Sequence, residues 1–123
     1  MAPADWYPGS IASGSPEFTH DYLEAYGGTA QGVDDSSAEA YAVGQVVADI
    51  ADKTNKIDNA TIINTLHSGT WSTILGDLSW SDNGAPRGQF TLVQWQHGNL
   101  LPVFPLANSA TRPEAPKPNW GSG

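Results

Sequence analysis

Apolar residues recur at three- and four-residue spacing through the first half of the chain, and the pattern changes to short β-like runs after residue 76. The spacing predicts a first helix over about 17–26, with Phe18, Tyr22, Leu23 and Tyr26 on one stripe. Ser15 is its expected cap and Pro16 its first residue, while Glu17 and Asp21 suit the positive end and Gly27-Gly28 stops it. A second helix is predicted over about 36–53, where Ala38, Tyr41, Ala42, Val46 and Ile50 make a face that Val43 and Val47 widen. Asp35 or Ser36 is expected to cap it, with Glu39 completing a capping box, and Gly44 inside it implies close approach of another backbone. A third helix, about 59–67, follows the cap Asp58, carries Ile62, Ile63 and Leu66, and is ended by Gly69.

The run "TWSTIL" reads as a link into a β region. Asn83-Gly84 is a strong short hairpin signal, and His97-Gly98-Asn99 offers a second turn between "FTLVQW" and "LLPVF". Four stretches follow: an irregular segment at 1–16, a helical part of an α/β lobe at 17–76, a β-hairpin region at 77–105 and a Pro-rich tail at 106–123. The tail is expected to run extended over a surface or to be disordered. Helices alternating with loops imply an α/β protein whose helices cover a parallel sheet. No Val/Ile-rich run of strand length lies between them, so the sheet that would cover these apolar faces is expected to belong to sequence outside this chain.

Charge narrows the partners. Five basic residues, Lys53, Lys56, Arg87, Arg112 and Lys117, stand scattered among 13 acids, for a net charge of −8. Nucleic acid and anionic membrane need clustered cations and are not expected as partners. The absence of cysteine excludes disulfides, thiolate catalysis and Cys-ligated zinc. No run approaches the roughly 18 apolar residues of a membrane span, and "MAPADWYPGS" has neither the basic nor the apolar region of a signal peptide.

In order along the chain, Phe18, Tyr26-Gly27, Ala40-Tyr41-Ala42, Gly76, Leu78, Trp80, Gly84, Gln94, Gly98, Val103 and Pro105 form a pattern that resembles the closing part of type I periplasmic binding proteins. The nearest likeness is to the branched-chain amino acid (Leu/Ile/Val-type) receptors of ABC transporters. The resemblance implies the C-terminal fragment of a two-lobed fold that clamps an amino acid or similar small polar solute in a cleft between its lobes. It implies a transporter permease as partner and a periplasmic or extracellular location for the parent protein. The part of that fold carrying the core strands and the contacts to the ligand's carboxylate and ammonium has no counterpart here. The chain is therefore expected to need its missing N-terminal part, or a second copy, and to bind no ligand alone.

The resemblance brings Tyr41 near the cleft and Trp6 and Tyr7 to the place where the hinge segment opens into it. Ser36 and Ser37, at a helix start, could present N–H groups to a ligand. The plainer alternatives are core packing for Tyr41, capping for Ser36 and loop packing for Trp6 and Tyr7. Asp34 and Asp35 could face a ligand ammonium or serve the helix start. His20, Asp21 and Glu24 share one helical turn, which reads as a solvated face rather than a metal site. His67 reads as a helix-end residue and His97 as a turn residue, and Asn59-Ala60-Thr61 matches the glycosylation pattern. No nucleophile elbow or phosphate loop occurs, "GGTAQG" following a helix rather than a strand, so neither enzyme chemistry nor a cofactor is expected. Two further readings stand beside the receptor: an interaction or structural fragment that recruits a complementary chain, and a small carbohydrate-binding module suggested by five Trp.

Overall fold

In the computed structural model, which describes residues 1–88, 91–105 and 111–116, the helical spacing resolves into α1 (Ser15–Tyr26), α2 (Asp35–Thr54) and α3 (Asn59–Leu66). Strands β1 (Ala2–Ala4), β2 (Trp71–Thr73), β3 (Gly76–Trp80), β4 (Pro86–Arg87), β5 (Thr91–Gln96) and β6 (Asn99–Phe104) build two antiparallel sheets, ordered β1-β5-β6 and β2-β3-β4. The protein is thus mixed α/β, and every strand pairing among the described residues is antiparallel.

The apolar stripe of α2 is covered within this chain, contrary to the expectation that it has no home there. Ala38, Ala42, Val46 and Ile50 are all buried. The N-terminal half of the stripe joins Trp6, Phe18, Val33 and Ile74 in one core cluster. The C-terminal half packs with Trp71, against which Ile62, Leu66 and Trp80 rest. What makes this possible is "TWSTIL": instead of a plain link it supplies β2, and Trp71, Thr73 and Ile74 go inside. A second line of α2, Val43 and Val47, stays exposed. No backbone approaches Gly44, since a Cβ built there would meet nothing within 4 Å.

Two helix starts differ from expectation, α1 beginning two residues early and α2 one, while α3 starts at Asn59 as expected. Gly14, with φ 79°, is the N-cap of α1; a Cβ there would lie 3.1 Å from Gln45 Nε2. Ser15 is instead buried as the first helical residue, where its hydroxyl accepts a 2.8 Å hydrogen bond from Trp6 Nε1. Asp34, not Asp35 or Ser36, caps α2 by accepting from the Ser36 N–H at 3.2 Å. Asp58 caps α3 as expected, accepting from the Thr61 N–H at 2.9 Å. That helix closes on His67, two residues before Gly69.

Residues 1–16 are not wholly irregular, because β1 lays Ala2 opposite Val93 and Ala4 opposite Thr91. The two turns exchange characters. Ser81–Ala85 forms a five-residue loop in which Asn83 Oδ1 accepts from the Ser81 hydroxyl and the Ala85 N–H, and only Gly84 has positive φ. The two-residue turn is His97-Gly98, with φ of 50° and 78°, as the primed hairpin turns require. Of the Pro-rich tail, 106–110 and 117–123 lie outside the described residues, while 111–116 is fastened to β5. Gln94 exchanges hydrogen bonds with the Glu114 N–H and C=O, both 2.9 Å, and Gln96 Nε2 donates to Gln94 Oε1 and to the Arg112 carbonyl. No helix among the described residues is long and apolar enough to cross a membrane.

Candidate functional site

The fold leaves an open cleft of about 320 Å³ between β1, the segment around Asp34 and the β5–β6 hairpin. Trp6, Val33, Val93 and Leu100 line it with apolar surface, Trp95 stands beside them half exposed, and Asp34 and Asp35 contribute its charge. Local structure explains each position. Val93 and Trp95 share one face of β5 because successive strand residues alternate. The 3-10 turn Ala30–Gly32 brings Gln31 to the hairpin, where its Oε1 accepts from the Leu100 N–H at 2.8 Å and ties the helical side to β6. Asp34 and Asp35 follow because α2 starts there, and among the described residues no side-chain hydrogen bond or ion pair engages the Asp35 carboxylate.

The five residues expected to bind a ligand are not brought together. Trp6 lines this cleft but is 2% exposed, its N–H is spent on Ser15, and its ring meets Phe18 edge-on at 5.7 Å. Its principal role is in the core. Tyr7 is half-buried in the loop after β1, where its carbonyl accepts from the Ser10 N–H. The Ser36 N–H is already held by Asp34, so the helix start has a ligand of its own. Ser37 and Tyr41 lie on a separate surface of about 490 Å³ formed with Phe18, Asp21, Tyr22, Tyr26 and Ala40. Tyr41 is not a core residue: it is 45% exposed, with its ring 5.0 Å from that of Phe18.

Trp95, Leu100 and Gln31 are cleft residues that sequence reasoning did not single out. The signal for Trp95 was present in "TLVQWQ", where alternation aligns it with Val93. The contact between Gln31 and the hairpin spans 69 residues and leaves no local mark.

His20, Asp21 and Glu24 have ligand atoms within 4.8 Å of one another, and all three are exposed. His20 Nδ1 lies 3.1 Å from Asp21 Oδ1. A shallow, water-facing set of this kind competes poorly with hydration for a cation. Asp58, the cap of α3, lies away from both surfaces. Asp58 is held below the ordinary 3.8 by the Thr61 N–H, then by the Thr61 hydroxyl, with Lys56 adding a smaller pull. No protein-family model matches the chain, and no curated protein matches it either.

Proposed function

We propose that the chain is the C-terminal part of a two-lobed solute receptor of the type I periplasmic-binding kind, serving an ABC transporter outside the cytoplasm. The complete receptor binds an amino acid or similar small polar solute between its lobes and makes or breaks no bond. One observation carries the reading: β1 pairs antiparallel with β5 of the β5–β6 hairpin, some ninety residues away in sequence, and a cleft lies between this sheet and the start of α2. The apolar wall suits a solute's side chain, and the unengaged Asp35 carboxylate suits an ammonium group. The cleft is open on one side, and a second lobe closing by hinge motion would complete it.

The test is calorimetric. The 123-residue chain titrated with leucine, isoleucine and valine is expected to give no binding heat, and adding the separately produced upstream part of the parent protein is expected to restore it. A monomer that binds an amino acid unaided overturns the fragment reading; silence from the reconstituted pair overturns the receptor.

A specific feature favours a second reading, an interaction fragment. Val43, Val46, Val47, Ile62, Leu66, Leu78 and Trp80 surround an almost wholly apolar groove of about 310 Å³ between α2, α3 and β3. Concentration-dependent mass in solution, lost on Val43→Ser with Val47→Ser, would support it.

A further inference from the structure

A second surface carries an inference beyond the solute-receptor reading and independent of it. Four rings run in series across α1 and α2. Tyr41 and Phe18 have centroids 5.0 Å apart, Phe18 and Tyr22 5.9 Å, and Tyr22 and Tyr26 4.9 Å. Phe18, the second ring of the series, is buried and braced edge-on by Trp6, so the series is anchored in the core there, while Tyr41 at its α2 end is 45% exposed. At the α1 end Tyr26 is 78% exposed, its ring tilted 52° against that of Tyr22. The small residues Ser37 and Ala40 line a depression of about 490 Å³ together with the four rings.

The charge around these rings has one sign. Asp21 lines the depression, and Glu17 and Glu24 lie one turn either side of it on α1. That helix holds no Lys or Arg, and its one basic group, His20, sits against Asp21. We propose that the Tyr41–Phe18–Tyr22–Tyr26 series and Asp21 form a docking surface for an arginine-bearing segment of a partner protein. A guanidinium plane stacks on tyrosine faces and presents its edge N–H groups to a carboxylate, which an ammonium cannot do in the same pose. Because the rings are already ordered against one another, binding costs little side-chain entropy. Exposed ion pairs are weak in water, so stacking holds the segment and Asp21 selects its charge. A second copy is the poorer occupant, since each chain carries −8 and self-docking would oppose two acidic helices.

The test uses the full chain and a fluorescent peptide with arginines spaced by glycine and serine, read by anisotropy. Binding is expected at low ionic strength, with about a tenfold loss when citrulline replaces arginine and a smaller loss with lysine. Tyr26→Ala and Asp21→Asn are each expected to weaken it about fivefold or more, with helix content unchanged by circular dichroism. Equal affinity for the citrulline peptide, or an unchanged Tyr26→Ala variant, overturns the proposal. So does self-association that Tyr26→Ala abolishes, or preferential binding of a neutral oligosaccharide to the same face. An amino-acid titration of the chain reconstituted with the upstream part reads the cleft separately, so failure here leaves the receptor reading standing or falling by its own experiment.

Discussion

Single residues decide how the helices start. Ser15 is 1% exposed and satisfies the indole N–H of Trp6, itself buried. Ser15→Ala therefore strands a buried donor and is expected to cost about 1–3 kcal/mol in a urea unfolding series. Gly44 is the opposite case, a glycine with open space around its absent Cβ in the middle of a 20-residue helix. Gly44→Ala is expected to stabilise by about 0.5–1 kcal/mol, because the alanine restricts the unfolded chain and meets no obstacle in the folded one. At Asp58 the folded value lies below the unfolded one, so its contribution is fully present above pH 3.8 and is lost as pH falls through the depressed folded value. Comparing the acid limb of unfolding in the parent and in Asp58→Asn, which keeps the capping oxygen, is expected to show a shallower limb in the variant.

At the scale of elements, the hairpin β5–β6 rests on its turn. His97 and Gly98 both adopt positive φ, and Gly98→Ala is expected to destabilise by about 1–2 kcal/mol, measurable as faster amide exchange along both strands. The helices were legible in the sequence because their periodicity is local: the stripe Ala38, Ala42, Val46, Ile50 is the one that is buried. The strands were less so. In β5 alternation identifies two faces but not their partners, and here the polar residues Gln94 and Gln96 go inside while Trp95 stands half exposed. That inversion depends on residues 111–116 covering one face, a contact between segments some twenty residues apart. The short β2 escaped notice because Trp71–Thr73 earns its burial from α2 and α3, not from its own pattern. Likewise the ligand residues that the resemblance and the helix start suggest do not converge, since the fold sends Trp6 to one surface and Ser37 and Tyr41 to another.

For the whole molecule, 13 acids against five basic residues impose a self-repulsion that opposes compaction. Raising sodium chloride from about 20 mM to about 0.3 M is expected to raise the thermal midpoint, because screening shortens from about 20 Å to below 10 Å. The same salt series weakens any arginine-peptide complex, so the two effects of one variable run in opposite directions. The two core clusters meet along α2, which makes that helix the common wall of the structure.

The fastening of residues 111–116 has a consequence for which sequences that stretch can tolerate. Gln94 and Gln96 engage backbone atoms alone there: the carbonyls of Arg112 and Glu114 and the N–H of Glu114. Side-chain identity is thus unread by these bonds, and Pro113 and Pro116 sit at nitrogens from which no donation is required. Position 114 is where an imino acid would be intolerable, so Glu114→Pro should release the strap, while replacements that keep the N–H lose only the 3.3 Å contact of the Glu114 carboxylate with His97 Nε2.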